Sequence, residues 1–418
     1  MDKFEDVMEV EEAPEVLGLD DFFTSSEDEK ESKKDSKSDS SVSVVKEPIP
    51  EDEDDHFTVS SKFIKDALNI SAILSSSGED SFESKMIAFS VHDGKVYVHM
   101  SDNKREVEMC TDLLNTEHQY TGFCAFGSGV IKKLTSLIGS YFTIVFRKEK
   151  SGDVELLKPK MLVHGGEISL DKIKVEESKY GKFSDDGNFK NYSSSDILDV
   201  LKRLNTFASM SIKNLRAIDF EGTVVKANNL AGTASIEMDT ELPKCKLPLT
   251  DAKLLMGLIS CSESDTVDIT SDGKEYKSGD FKFRTEVYKS SEGVADKVAS
   301  RMFEVPDSVS ISLSHFKKVA DISYSLDASS GYLGLNFKDG CLESTIITKR
   351  DNSTIMIDSV QSDVDSIGDD IEVSSQGLKT ALTVFTSEED ADVQLCSDGI
   401  ALSNGGIKVA VFSKSAGK

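Results

Sequence analysis

The feature that most constrains this 418-residue chain is a recurring short amphipathic helix. Six times a Ser or Thr opens a run in which apolar residues return at helical spacing and a basic residue falls on the opposite side. The openers are Ser61, Ser128, Ser195, Thr250, Ser314 and Ser375. Their separations are 67, 67, 55, 64 and 61 residues, so the chain is predicted to repeat one structural unit about every 60 residues.

The basic residues of these helices define a predicted cationic face. When each opener is set to zero on a helix of about 100° per residue, a lysine at +4 lies near 40°, and apolar residues at +2, +3 and +6 lie between about 200° and 300°. The third helix shifts its charges by one turn, and the fourth has a single lysine at +3. One such lysine is typical of any solvated helix, but basic residues early in all six helices, with four lysines in register at +4, favour a shared surface. The face comprises Lys62, Lys65, Lys132, Lys133, Lys202, Arg203, Lys253, Lys317, Lys318 and Lys379.

Between the helices the sequence predicts antiparallel strands. Residues 95–100, 141–146 and 406–412 alternate or are continuously apolar, and Asp-Gly pairs at 93, 272, 339 and 398 favour tight hairpin turns. Two repeats, each covering a sheet with one helix, make a domain of about 120 residues. We therefore predict an α+β fold of three tandem domains, residues 56–185, 186–302 and 303–418, each with two helices packed on antiparallel sheets.

Charge is distributed unevenly along the chain. The net charge is -27, yet residues 1–58 alone hold 21 acidic residues and 6 lysines. That segment is rich in Ser and Glu and has too few apolar residues to offset the entropy of folding. Residues 1–55, here named the acidic segment, are predicted to be a disordered tail.

Several function classes find no support in the sequence. The six cysteines lack the short spacing of a zinc site, and the six histidines show no ligand spacing. Asp363 begins a run like a calcium loop, but its twelfth position is Ser374 instead of Glu. Gly127-Ser128-Gly129 lacks the ending of a phosphate loop. We expect no catalytic residues, metal, cofactor or membrane contact, and an intracellular location.

Helix spacing, domain length and lysine placement over residues 56–418 resemble those of DNA sliding clamps, the superfamily of the bacterial DNA polymerase III beta subunit and proliferating cell nuclear antigen. The bacterial subunit is the closer match in size, since its family has three domains per chain and closes as a dimer. The resemblance implies a non-enzymatic processivity factor that encircles duplex DNA without reading sequence. It implies a DNA polymerase and a clamp loader as partners, with transcription or repair proteins as further clients. The expected location is the cytoplasm or nucleoid, of a host cell if the protein is viral, and the acidic segment would suit a bacteriophage version.

Helix width gives an independent check on the assembly. Six helices about 10 Å across, arranged in a circle, leave a hole of roughly 9 Å, which excludes a duplex. Twelve leave roughly 28 Å, enough for DNA and a water layer. A homodimer is therefore required if the helices line a channel.

The resemblance also implies a hydrophobic cleft for client peptides between the middle and last domains. By approximate position it comprises Ile218, Leu230, Gly232, Ala234, Val409, Val411 and Phe412. The bacterial turn Asp-Gly-His-Arg is replaced here by Asn229-Leu230-Ala231-Gly232, and each cleft residue has strand core as its alternative interpretation. In the acidic segment, Leu19, Phe22 and Phe23 resemble the clamp-binding peptide pattern and either dock on the chain's own cleft or recruit a different partner.

Two other interpretations remain open. The chain could be a β-rich structural or scaffolding protein, such as a virion component, whose helices only cover sheets. It could also be an open monomeric processivity factor that holds DNA by charge alone.

Overall fold

A computed structural model describes residues 54–76, 81–115, 117–151, 154–177, 180, 183, 188–209, 216–286, 288, 293–305, 308–326, 331–338, 341–347, 354–361, 370–385 and 390–414. The chain divides into two compact units, Met1–Lys46 and Glu47–Lys418. The acidic segment, including Leu19, Phe22 and Phe23, lies outside the described residues except at its last two positions.

Three repeats, each of eight strands and two helices, make up the second unit, in the order strand, helix, four strands, helix, three strands. The first repeat contains β1 His56–Ser60, α1 Ser61–Ser75, β2 Met86–His92, β3 Lys95–Ser101, β4 Arg105–Asp112, β5 Gly122–Gly127, α2 Ser128–Leu134, β6 Tyr141–Ser151, β7 Val154–Val163 and β8 Gly166–Ser169. The second contains β9 Phe189–Ser193, α3 Ser194–Ser209, β10 Ala217–Glu221, β11 Val224–Asn228, β12 Gly232–Glu237, β13 Cys245–Pro248, α4 Leu249–Cys261, β14 Thr266–Thr270, β15 Glu275–Ser278 and β16 Phe281–Thr285.

A seventh helix, α5 Val294–Phe303, precedes the third repeat. That repeat contains β17 Val309–Ser312, α6 Leu313–Leu326, β18 Tyr332–Lys338, β19 Cys341–Ile347, β20 Thr354–Gln361, β21 Ile371–Ser374, α7 Ser375–Leu382, β22 Asp390–Cys396, β23 Gly399–Asn404 and β24 Ile407–Phe412. The predicted α+β class with tandem two-helix repeats is confirmed, whereas the exact domain limits stay a prediction, since the 302/303 limit falls inside α5.

Local sequence explains where the helices begin. Each of the six predicted helices starts within one residue of its opener. The Ser60 hydroxyl accepts a hydrogen bond from the Phe63 amide at 3.2 Å, and Ser374 accepts one from Gly377 at 3.2 Å. The capping residue is therefore one position before the predicted opener in these helices. Between β2 and β3, Asp93 and Gly94 have φ of 54° and 74°, as the predicted hairpin turn requires.

The sheets join the repeats to one another. One eight-stranded sheet runs β5-β2-β3-β4-β16-β15-β14-β9 and crosses from the first repeat to the second at β4 and β16. The other runs β13-β10-β11-β12-β24-β23-β22-β17 and crosses from the second to the third at β12 and β24. We name these crossings the first junction and the second junction. Each is an antiparallel ladder of five residue pairs.

Two four-stranded sheets lie at the ends of the chain. They run β1-β6-β7-β8 in the first repeat and β20-β19-β18-β21 in the third. In the other sheets the strands equivalent to β8 and β20 form the junctions, namely β16 and β24 for β8, and β4 and β12 for β20. Within the described residues β8 pairs only with β7, and β20 only with β19. The repeat therefore leaves one junction-forming edge at each end.

Candidate nucleic-acid interface and neighbouring surfaces

The six predicted helices form a single row on one side of the sheets. Contacts join α2 to α1, α1 to α4, α4 to α3, α3 to α7 and α7 to α6. The row crosses the first junction where α1 meets α4. There a Cβ on Gly257 would lie 2.7 Å from Cδ1 of Ile70, so glycine permits the close approach of the two helices. The row is continuous across all three repeats.

Each helix of the row buries its apolar side against the sheets. In α1 the buried residues include Phe63, Ile64, Ala67 and Leu68, while Lys62 and Lys65 are exposed. Lys132 and Lys133 on α2, Lys202 on α3 and Lys318 on α6 are also exposed. The predicted amphipathic pattern therefore describes the real orientation of these helices.

Four of the predicted basic residues are half-buried. Arg203 Nε lies 2.8 Å from Asp199 Oδ2, and Lys379 Nζ lies 3.0 Å from Asp321 Oδ1. Lys317 Nζ donates to the Phe385 carbonyl at 3.4 Å. Burial lowers the pKa of Lys253, and the nearby Arg216 lowers it further. These four residues therefore contribute less mobile charge than the six exposed ones.

The helix row reverses the charge balance of the chain. Its six helices contain ten basic residues and five acidic ones, whereas the whole chain has 48 basic and 75 acidic residues. One of the five acids, Asp251, is fully buried. Asp66 is half-buried, and burial raises its pKa while Lys62 opposes that shift. The row is therefore a cationic strip on an acidic protein, which suits a polyanion.

The predicted cleft residues separate into two groups. Ile218, Ala234, Val409 and Val411 are at most 1% exposed, because strand alternation turns them toward the helix-covered face. Gly232 is explained by packing, since a Cβ there would lie 1.9 Å from the Ala410 carbonyl oxygen. These five residues form core and backbone contacts, so they offer no exposed side chain to a ligand.

Leu230 and Phe412 are the two predicted cleft residues with accessible side chains. Leu230 is 70% exposed on the β11–β12 turn, and Phe412 is partly exposed at the end of β24. The Phe412 amide donates to the Ala231 carbonyl at 2.7 Å, and the Ala231 amide donates to Asn229 Oδ1 at 2.7 Å. The structure therefore brings the turn that carries Leu230 and the end of the last strand together.

Helix α5, which the sequence reasoning missed, covers the outer face of the second junction. Ala299 and Met302 pack on Ala401 and Ala410, and Asp296 is bonded to Lys226 and Asn228. Beside the helix lies a groove of about 550 Å³. The groove is lined by Glu221, Val224, Lys226, Thr233, Ala234, Ser235, Asp296, Ala299, Ser300, Phe303, Glu304 and Lys408. Apolar residues four apart at 298, 302 and at 295, 299, 303 were the available signal, although no Ser or Thr opener marks this helix.

An extended segment after β8 covers the outer face of the first junction. Ser90 Oγ donates to Glu177 Oε1 at 2.7 Å, and Tyr180 stacks on His99 with ring centroids 5.3 Å apart. Phe183 lies beneath the Arg284 guanidinium at 4.7 Å. Burial lowers the pKa of His99, while Glu108 and Glu177 oppose that shift. We name the described residues of this segment, 171–177, 180 and 183, the strap.

No group of three or more His, Cys, Asp or Glu within the described ranges is arranged to hold a metal ion. Among the helices that the structure describes, none is long and apolar enough to cross a bilayer.

Comparison with solved structures identifies the fold. The chain is similar to a putative DNA polymerase III beta subunit from Eubacterium rectale, with a TM-score of 0.69 and 13% identity over 86% of this chain and 99% of that one. The beta subunit from Thermotoga maritima gives 0.68 and 13%, covering 86% and 98% of the two chains. The polymerase sliding clamp from Pseudomonas aeruginosa gives 0.66 and 15%, covering 86% and 99%. The fold is therefore that of the DNA polymerase III beta sliding clamps.

No protein-family model matches the sequence, and no curated protein matches it.

Proposed function

We propose that the protein is a DNA sliding clamp, a non-enzymatic processivity factor that encircles duplex DNA and tethers a polymerase. The observation that carries the proposal is the helix row, with ten basic and five acidic residues on a chain of net charge -27. Lysines on flexible stems contact phosphates without reading bases, so a ring lined by them shifts register at little cost. Retention is then topological and does not depend on affinity.

Ring closure follows from the repeat. The first and second junctions both pair the edge equivalent to β20 with the edge equivalent to β8. By that rule, β20 of one chain pairs with β8 of a second, and two such contacts close a two-fold ring. Exposed apolar residues at the ends of the helix row support this assembly. They are Val130 and Leu137 at the α2 end and Ile322 and Leu326 on α6.

Client peptides are proposed to bind on the outer face of the second junction. The supporting features are exposed Leu230, partly exposed Phe412 and the groove beside α5. A peptide spanning residues 14–26 contains Leu19, Phe22 and Phe23 and is the natural probe. Leu230→Ser should weaken its binding at least fivefold by calorimetry, and Lys244→Ser, at another exposed position, should not. If the acidic segment docks on its own ring, deleting residues 1–50 should raise the affinity for this peptide, and an unchanged dissociation constant would remove self-docking.

A topological assay tests the main proposal. Dilute protein is mixed with nicked circular plasmid at low salt, concentrated to favour assembly, and passed through a sizing column at moderate salt. Protein that encircles DNA should co-elute with the circle and be lost after the plasmid is cut once. Equal retention on circular and linear DNA would contradict encirclement and favour an open factor that holds DNA by charge.

A matched pair of variants tests the helix row. Lys62→Glu, Lys65→Glu, Lys132→Glu and Lys318→Glu together should abolish retention on the circle. The control reverses Lys148, Lys174, Lys190 and Lys297, which are exposed residues off the row, so net charge is the same. The control should be retained normally. A scaffolding protein would assemble unchanged with either set of substitutions, and it would bind neither the circular nor the linear plasmid.

A further inference from the structure

A basic pocket at the first junction shares only Lys253 with the predicted cationic face. It has a volume of about 370 Å³ and opens where α1 ends and α4 begins. Ser76 lies on the α1 side and Lys104 on the β3–β4 turn. Arg216 immediately precedes β10, Lys246 lies on β13, and Thr250 and Lys253 lie on the first turns of α4. The pocket is thus built from both repeats, at one edge of the helix row.

The charge of its walls is one-sided. Among the described residues, eleven line the pocket, of which five are basic and none is acidic, although the chain has 75 acidic residues. The fifth, Arg105, is neutralised behind the wall by Asp102 at 2.8 Å and by Asp251. Lys246 and Lys253 make no ion pair with any described residue. These two lysines therefore face one cavity without a carboxylate partner among the described residues, an arrangement that favours a bound anion.

The lowered pKa of Lys253 is also consistent with an anion site. Burial lowers its pKa, and Arg216 lowers it further. A half-buried ammonium beside a guanidinium is held in an unfavourable field. An anion in the pocket would relieve both effects, because it compensates for lost hydration and screens the two cations from each other.

Helix α4 adds a second attraction for negative charge. It has 13 residues and follows Pro248, with no side-chain hydrogen bond to its first turn. By contrast, α1 and α7 are capped by Ser60 and Ser374. The acid in its first turn, Asp251, is fully buried and bonded to Arg105 and Thr285. The Leu249 amide donates to the Arg216 carbonyl at 3.0 Å, so the contribution of α4 at the pocket wall is the positive end of its dipole.

Tyr288 completes the lining. It is 38% exposed, and its hydroxyl donates to Glu286 at 3.3 Å. An exposed ring next to a phosphate-sized cluster of cations suits a nucleotide, whose base or sugar can pack on the ring.

We propose that this pocket binds a phosphate group, and that in the assembled protein the phosphate belongs to the backbone of a nucleic-acid strand leaving the helix row. The choice of strand rests on the proposed clamp function, whereas the phosphate chemistry does not. The site would hold a strand at the first junction, where phosphate, cations and the positive end of the α4 dipole meet. A free nucleotide shares that chemistry and is separated from the strand by the test.

The test follows the methyl signals of Leu249 and Ala217, which line the pocket, by NMR of the full chain. Probes are ATP and a 20-base-pair duplex. Both should shift these signals saturably, and the duplex should displace ATP. Lys104→Ala with Lys246→Ala should weaken both at least tenfold. Lys244→Ala with Lys297→Ala, which removes the same charge from exposed positions elsewhere, should leave both within twofold. Near-identical thermal midpoints confirm that both variants fold.

The outcomes separate the two proposals. ATP binding without displacement by the duplex would overturn the strand assignment. Absence of any shift with either probe would overturn the site. Lys62→Glu with Lys65→Glu should leave the ATP shifts intact. If that row variant still binds duplex as well as the native chain does, the proposed function fails while the pocket stands.

Discussion

The two junctions have the same ladder and different chemistry. The first is tied by directed polar contacts, since Arg105 from one repeat is bonded to Asp251 and Asp102 in a buried cluster that also includes Thr285. Across the same ladder, Lys282 pairs with Glu108 and Arg284 with Glu106. The second junction is joined by shape, with Gly232 against Ala410 and small residues beneath α5. The same five-pair ladder can therefore be stabilised either by polar contacts or by close packing of small residues.

The largest effect is expected at the buried pair of the first junction. Asp251→Ala removes one of the two carboxylates that hold the buried Arg105 guanidinium, leaves Asp102 as the other, and should lower the free energy of unfolding by about 3–5 kcal/mol, measured by urea titration. The triple variant Arg105→Met, Asp251→Leu and Asp102→Asn should recover most of that loss, because no uncompensated buried charge remains and the Asn oxygen still accepts from the backbone amides that Asp102 binds. If Asp251→Ala costs less than about 1 kcal/mol, the contrast between the two junctions is wrong.

A substitution that adds a side chain at Gly232 should destabilise the second junction. In Gly232→Ala the new methyl group meets the Ala410 carbonyl at 1.9 Å, a backbone atom that has no rotamer to change. We expect a loss of about 1–3 kcal/mol and faster hydrogen exchange of β12 and β24 amides. Gly166→Ala, where a Cβ meets nothing within 4 Å, is the matched control and should change neither measurement.

The proposed contact between chains, β8 of one with β20 of another, tests whether the strand pairing of the two junctions also joins two molecules. The Leu170 amide donates to the Pro159 carbonyl, so the amides of Ile168 and Gly166 point to β7 and those of Glu167 and Ser169 point outward. Ser169→Pro removes one outward donor and should weaken the dimer about tenfold, as loss of one hydrogen bond of about 1.4 kcal/mol implies. Ser169→Ala keeps the donor and should match the native chain in sedimentation. Equal dissociation of all three proteins would exclude β8 from the interface.

The smallest effect concerns the strap over the first junction. Because burial lowers the pKa of His99 in the folded state, protonation favours the open strap. The stability that neutral His99 gives to the closed strap is complete above the unfolded pKa of about 6.5. It is lost as the pH falls below that value toward the lower folded pKa. Amides near Tyr180 should exchange faster below that pH, after correction for intrinsic rates. In His99→Gln the step should vanish, and a step that persists would assign it to other groups. The second junction, covered by α5, should show no such step.

Prediction from sequence succeeded where a local pattern sufficed. The six openers fix helix starts within one residue because capping and amphipathic spacing are short-range signals. The lysines of α1 and α2 are exposed for the same reason. The cleft residues were harder, because alternation in a strand gives two faces without saying which one the helices cover. Ile218 and Val411 therefore lie on the covered face, while Leu230 is accessible. The basic pocket depends on side chains up to 212 positions apart, from Ser76 to Tyr288, and no short window of sequence contains it.

The outer edges of β8 and β20, which have no strand partner within the described residues, affect how newly made chains would assemble. A head-to-tail contact gives a closed ring only when the bend of each chain sums to a full circle, and otherwise it gives an open filament. In the proposed two-copy ring each chain would therefore turn through half a circle, and the twist at the first and second junctions would set that turn. A substitution that reduces the twist at either junction would favour an open fibre over a closed ring. Newly synthesised chains at high concentration would be the first to polymerise.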